Sequence, residues 1–87
     1  MKIRKITDNK RNYIEMLLLA DPQEDMIEKY LDDGEMFLLE DHGDPKTVCV
    51  VELLKNRRCE LKNIATVEKD QGKGYGKELL LLLLSIV

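Results

Sequence analysis

Tryptophan is absent, phenylalanine occurs once, and cysteine and proline occur twice each. With so few aromatic rings, the core of this 87-residue chain has to be aliphatic, built from Leu, Ile, Val and Met. The single histidine and the lack of any C-x-x-C spacing leave too few ligands for a zinc site, so no metal is expected. Positive charge is not in excess either. The 14 Lys and Arg stand against 17 Asp and Glu, and the net charge of −3 argues against a general nucleic-acid binder. The stretch from Met1 to Thr7 lacks the apolar run of a signal peptide. The longest nearly apolar run, Leu79 to Val87, has nine residues, and a bilayer takes about 20. The cytoplasm is therefore the expected location, with no membrane partner. There Cys49 and Cys59 are expected as buried thiols and not as a disulfide.

What is present is a globular composition, 44% apolar and 36% charged, in a length that makes one domain. A chain this short buries only about 60–65% of its extended surface, so its core is small. The most informative stretch runs from Glu60 to Gly76. It opens as a strand, with Leu61, Ile64, Ala65 and Val67 as its apolar and β-branched positions. It turns polar at Glu68, Lys69 and Asp70, then places Gly72, Gly74 and Gly76 ahead of a helix-forming run, Lys77 to Val87. A strand, a glycine loop and a helix N-terminus make an anion cradle. The first N–H groups of a helix lack partners, the dipole favours negative charge there, and glycine lets the backbone approach a phosphate. The plainer alternative is a glycine turn that only joins a strand to a helix. Two familiar loops do not fit. A P-loop needs Gly, four residues, then Gly-Lys-Ser/Thr, but here Glu78 follows Lys77 and Gln71 stands where the first glycine should be. The dinucleotide fingerprint is G-x-G-x-x-G, and this loop has Gly72-x-Gly74-x-Gly76 instead.

Along the chain, Lys2 to Thr7 alternates Ile3 and Ile6 with charge and is expected as an edge strand. Asp8 or Asn9 can cap a helix to about Ala20, with Tyr13, Ile14, Leu17 and Leu18 on one face. Asp21-Pro22-Gln23-Glu24 reads as a second helix start: a cap, proline at the first position and a carboxylate at the third. Met26, Ile27, Tyr30 and Leu31 form its stripe, and Gly34 stops it. Met36 to Glu40 and Thr47 to Leu54 are strands joined by a turn, and the continuous Val48-Cys49-Val50-Val51 implies that both sheet faces are covered. Lys55 to Arg58 closes a tight hairpin into a strand from Cys59 to Val67. With Asn56 and Arg57 as turn residues, Cys49 pairs near Ile64 and Cys59 near Leu54, so both thiols read as packing residues. In the last strand Leu61, Ala65 and Val67 share one face and Ile64 points the other way. Either both faces are covered there, or a bulge shifts the register and turns backbone N–H groups to where a ligand could use them. The expected fold class is α/β (α+β), in the order β-α-α-β-β-β-α, with a mostly antiparallel sheet flanked by helices.

The run Gln71-Gly72-Lys73-Gly74-Tyr75-Gly76, after Asn63-Ile64-Ala65-Thr66-Val67, fits the pattern Gln/Arg-x-x-Gly-x-Gly/Ala. It resembles the acetyl-CoA loop of the GNAT superfamily of N-acetyltransferases, and the element order matches the first two-thirds of that fold. The resemblance implies an acetyl-CoA-dependent N-acetyltransferase, with acetyl-CoA as cosubstrate and a primary amine as acceptor. The pyrophosphate would lie on the N–H groups of Gly72, Lys73, Gly74, Tyr75, Gly76 and Lys77, following Gln71, with Lys73 and Lys77 adding charge. The pantetheine arm would pair strand-like with Ile64, Ala65 and Thr66, where one N–H would polarise the thioester carbonyl. Glu60, eleven residues before Gln71, stands where histone-type members carry a general base. The alternative is a solvated strand glutamate paired with Lys55 or Lys62; Glu52 is a second choice of base. Tyr75 is expected to pack under the glycines, and His42 to lie exposed in a turn. Asp21 to Asp44 holds ten acidic residues and one basic, Lys29. By the same resemblance a negative field there would gather cationic acceptors; the alternative is plain solubilising charge.

In the family the chain continues to a fifth strand, another helix and usually two more strands. The arm lies where the fourth and fifth strands splay apart. Against that pattern residues 1–87 are expected to be a single partial GNAT domain, C-terminally truncated. It would lack the second wall of the site and the helix that often supplies a tyrosine to the leaving thiolate. Leu79 through Leu84 are six consecutive leucines, which go all the way round a helix. Together with an open fourth-strand edge they point to a homodimer. Three functions compete: a transferase complete only as an assembly, a catalytically inactive remnant that binds CoA or a phosphate, and an interaction module that docks through its apolar C-terminal helix.

Overall fold

Four strands form one antiparallel sheet in the order β1-β2-β3-β4: β1 (Lys2–Ile6), β2 (Glu35–Asp41), β3 (Asp44–Leu53) and β4 (Cys59–Thr66). The computed structural model describes residues 1–86, with side chains as far as Ser85. Val87 and the Ile86 side chain, at the end of the expected apolar helix, lie outside the described residues. Three α-helices complete the fold: α1 (Ile14–Ala20), α2 (Glu24–Leu31) and α3 (Tyr75–Ile86). The order and the edge position of β1 are as the sequence implies.

The two sheet faces carry separate cores. On one, Leu17 of α1 and Ile27 and Leu31 of α2 pack on Ile6, Met36, Leu38, Val48, Val50 and Ala65. On the other, Leu79 and Leu83 of α3 pack on Leu39 and Cys49, with Ile3, Phe37, Ile64 and Tyr75 at the margin. Alternate residues of β3 therefore serve opposite cores, which is why Val48 to Val51 are all buried.

Both helix starts on the first face differ from the sequence expectation. Asn9 has φ 55°, and this left-handed backbone cannot cap a helix, so the chain enters α1 through a 3₁₀ turn, Lys10–Tyr13. Pro22 holds the residue before it extended, and Asp21 sits at φ −134° and ψ 104°. The helix begins two residues later, with Gln23 as its N-cap and no side-chain cap bond. Asp21 instead accepts the Gln23 N–H at 3.1 Å and the Tyr30 hydroxyl at 3.3 Å. Past α2, the Gly34 N–H reaches Tyr30 O at 2.9 Å. A Cβ there would stand 2.5 Å from Val50 Cγ1, so Gly34 lets the backbone lie against β3.

The hairpins are tight. His42 and Gly43 join β2 to β3, and Asn56 and Arg57 join β3 to β4, all four at positive φ. His42 is exposed, as expected. Cys49 lies opposite Ile64 and Cys59 opposite Leu53. Cys49 is buried, which pushes its thiol up to about 12. Cys59 is exposed, which corrects its reading as a packing residue: it opens β4, at the sheet end where the α3 face is only partly filled.

Two bulges break the ladders. Leu39 pairs with Thr47 and Glu40 with Pro45, which leaves Lys46 bulged from β3. Val50 pairs with Asn63 and Val51 with Leu61, which leaves Lys62 bulged from β4. The second bulge puts Leu61 on the face of Ile64 and separates it from Ala65. Both sequence alternatives for β4 hold in part: a bulge is present, and both faces are covered from Asn63 to Thr66, while Cys59 to Leu61 are exposed.

Candidate functional site: an open strand edge leading to a glycine loop

Among the described residues, strand β4 has a neighbour on one side only. At its end the Val67 N–H points back to Lys46 O at 2.9 Å. Because ladder residues alternate, Ala65 also faces β3, and Ile64 and Thr66 turn their main-chain groups to the open edge. Two adjoining clefts follow this edge. One, of about 260 Å³, runs between Ala20–Asp21 and Leu61–Ile64, and the next, of about 230 Å³, between Leu19–Ala20 and Ile64–Thr66, ending at Gln71. The end of α1 is their wall.

Beyond Thr66 the chain makes a 3₁₀ turn, Glu68–Asp70, and then the glycine loop. Gly72 and Gly74 have φ of 82° and 86°, a backbone that glycine adopts at no steric cost. Helix α3 starts earlier than expected, so Gly76 lies in its first turn. A Cβ on Gly76 would meet Ile64 and Thr66 at an ordinary 3.8 Å, in keeping with Gly or Ala at that place. The first inward amide bond is that of Glu78, to Gly74 O at 3.0 Å. The N–H groups of Gly72, Gly74, Tyr75, Gly76 and Lys77 meet no acceptor among the described residues. Such a cluster, at the positive end of a helix dipole, is complementary to a phosphate-sized anion.

The side chains expected at the cradle have structural partners. Gln71 Nε2 donates to Thr66 O at 3.1 Å and closes the loop against β4. Lys73 Nζ donates to Asp70 Oδ1 at 3.0 Å. Lys77 is exposed. Tyr75 is half-buried against the core that holds Leu39, Cys49 and Leu79, and its hydroxyl donates to Asp41 Oδ2 at 3.0 Å. That bond pulls the Asp41 carboxyl below its ordinary value and raises the Tyr75 phenol. Thr66 Oγ1 lies 2.8 Å from Thr47 Oγ1.

Glu60 is exposed, on the far side of the β4 bulge from Ile64. Its Oε1 accepts from Lys62 Nζ at 2.9 Å, and Lys62 also approaches Glu52 at 3.3 Å. Between the bulge and the open edge sits Asn63, 5% exposed. Its Nδ2 donates to Leu17 O and to the Tyr30 hydroxyl, each at 3.0 Å, while its Oδ1 is buried without a partner. The sequence reading missed Asn63, and also missed Lys46, whose Nζ donates to Asp70 Oδ2 at 3.1 Å. The acidic stretch is less bare than its composition suggests. Glu28 pairs with Arg11, Glu35 with Lys5, Glu40 with Arg4, and Asp41 with the chain's own ammonium.

A larger cavity, about 480 Å³, lies at the other end of α3. Phe37, Val51, Leu61, Leu80, Leu83 and Leu84 line it. No group of His, Cys, Asp or Glu among the described residues is placed to hold a metal ion, and no helix there is long and apolar enough to cross a membrane.

A four-stranded antiparallel sheet with an open, bulged edge running into an unpaired helix N-terminus defines the N-terminal half of an acetyltransferase fold. The chain is 37% identical over 67 residues to the uncharacterized N-acetyltransferase YvbK of Bacillus subtilis, which covers 77% of this chain and 43% of that protein. It matches a GNAT family acetyltransferase from Elizabethkingia anophelis, solved with acetyl-CoA bound, with a TM-score of 0.85 and 32% identity, over 95% of this chain and 54% of that one. It matches a Bacillus subtilis acetyltransferase solved in complex with CoA with a TM-score of 0.84 and 31% identity, over 97% and 55% of the two chains. No family model matches the chain. The chain belongs to the GNAT superfamily of N-acetyltransferases, and it spans about half the length of these relatives.

Proposed function

We propose that this chain supplies the acetyl-CoA-binding part of an N-acetyltransferase, which moves an acetyl group from a thioester to a primary amine. The observation that carries the reading is the row of unpartnered amides from Gly72 to Lys77, continuous with the open edge at Ile64 and Thr66. Acetyl-CoA is bound in one structural relative and CoA in another. In this reading the diphosphate lies on the loop, and the amide-rich arm runs along β4 through the clefts beside α1. The amine nitrogen attacks the thioester carbonyl, the C–N bond forms and the C–S bond breaks. An edge N–H of β4 stabilises the oxyanion, and holding the two reactants together removes much of the entropic barrier. Glu60 takes the amine proton, directly or through water, and Lys62 holds its side chain in place meanwhile.

Residues 1–87 are then a partial GNAT domain, and a further strand across the open edge, from a longer polypeptide or a second copy, is its second wall. The proposed location is the cytoplasm. The test is calorimetry with acetyl-CoA and CoA; absence of heat and of any rise in melting temperature would remove the cofactor reading. With a responsive amine in hand, Glu60→Gln is expected to slow thiol release by about 100-fold at neutral pH. An unchanged rate from about pH 6 to 9 would take the base role from Glu60.

A second reading, an interaction module or homodimer, is favoured by the apolar cavity and by Leu81 and Leu84, 52% and 74% exposed. Light scattering at micromolar concentration decides it: a monomer rules out the homodimer.

A further inference from the structure

Behind the glycine loop sits a buried charge cluster that the transfer chemistry does not use. Asp70 is 4% exposed and Lys46 is 8% exposed. Charges so far from water are costly unless paired and hydrogen-bonded. Each Asp70 oxygen has its own lysine, Oδ2 accepting from Lys46 and Oδ1 from Lys73. The two lysines are not alike. Lys46 is set inward by the β3 bulge, its Nζ lies 5.7 Å from the Tyr75 ring centroid, and its carbonyl takes the Val67 N–H. Its position is fixed from three sides. Lys73 is on the loop itself, its side chain 58% exposed, between Gly72 and Gly74 with their open amides. The nearby Asp41 is engaged by the Tyr75 hydroxyl.

We infer that Lys46 and Asp70 are positioning residues for the diphosphate: their buried pair pins the 68–74 segment to the sheet, and Asp70 parks Lys73 until a diphosphate takes it over. The ligand in this inference rests on the cofactor reading above; the pin does not. When a diphosphate arrives, Lys73 Nζ moves from Asp70 Oδ1 to a phosphate oxygen. Lys46 stays, so the buried carboxylate is never left without a cation. The loop gains a positive arm without uncovering a buried negative charge.

Calorimetry with CoA on four variants tests this. Asp70→Asn removes a negative charge beside an anion site and frees Lys73, so a purely electrostatic role would leave binding equal or tighter. The pin requires it to be weaker, by about tenfold or more. Lys46→Met is expected to weaken binding similarly, while Lys46→Arg stays within about threefold, because the charge is kept. Replacing both members of a buried pair is often neutral for stability. The double variant Lys46→Met with Asp70→Asn therefore keeps the test valid should a single variant misfold, and it too is expected to bind weakly. Wild-type affinity in Asp70→Asn or in the double variant overturns the inference. Should the unmodified chain itself fail to bind CoA, the cofactor reading falls and the pin is judged in the free protein. Lower ¹⁵N order parameters at Gly72 and Gly74 in Asp70→Asn, with β2 and β3 unchanged, uphold it; unchanged values at those glycines overturn it.

Discussion

The starts of α2 and α3 differ in who supplies the negative charge. At α2 the chain brings its own. Asp21 takes the Gln23 N–H, the Met26 and Ile27 N–H groups both reach Gln23 O, and Glu24 and Asp25 fill the first turn. At α3 nothing inward is bonded before Glu78, and the side chains flanking the open amides are Lys73 and Lys77, with Glu78 the one acid of the first turn. The backbone physics is the same at both. One end has carboxylates close to its first turn, and at the other glycines and lysines surround the open amides. A helix start stays available to an anion only when its own sequence leaves it unfilled.

The strongest way to break this contrast is to give α3 what α2 has. A Cβ at Gly74 meets nothing within 4 Å, and Asp tolerates positive φ better than most residues. Gly74→Asp is expected to lower CoA affinity by about 100-fold, roughly 2.8 kcal/mol, by calorimetry, and to lower the melting temperature by several degrees because of its positive φ. Undiminished affinity would mean that the anion does not sit at this helix end.

Acid sharpens the same point. Lys73 first, and Lys46 with it, hold the Asp70 carboxyl below its ordinary value, and the Tyr75 hydroxyl does so for Asp41. A depressed folded value adds stability that is fully present above the unfolded carboxylate value of about 3.9 and is lost as pH falls through the folded one. Urea unfolding from neutral pH downwards is expected to show level stability to about pH 5 and a fall below about pH 4. In Asp70→Asn that acid fall is shallower; an identical fall would show the pair to be absent in solution. The smallest effect belongs to α2. Asp21→Ala is expected to cost about 0.5–1 kcal/mol of stability, read by urea melts, and to leave CoA affinity unchanged.

Much of this was legible in the letters. The element order followed from periodicity, the β3–β4 turn from Asn56 and Arg57, and the loop from glycines, two of which occupy positive φ. What escaped depends on long-range pairing or on backbone state. Lys46 and Asp70 are 24 residues apart, and a bulge aims the lysine, so no local pattern announces them. Asn9 and Asp21 are good capping residue types, but Asn9 has a left-handed backbone and the chain after Asp21 stays extended through Gln23, at φ −91° and ψ 92°, before it turns into α2. The acids of β2 looked unpaired until β1 brought Arg4 and Lys5 beside them. For Glu60 the sequence left a lysine partner open as the plainer alternative, and Lys62 is that partner.

The open edge of β4 carries a consequence for how such a protein can change over generations. In the function proposed above, recognition there goes through amides, which every residue but proline possesses. Selection can therefore rewrite the side chains along that strand, and with them the choice of reaction partner, while the grip on a shared carrier persists. In that reading few side chains matter: two glycines for their handedness, and the buried Lys46–Asp70 pair proposed to keep them in place.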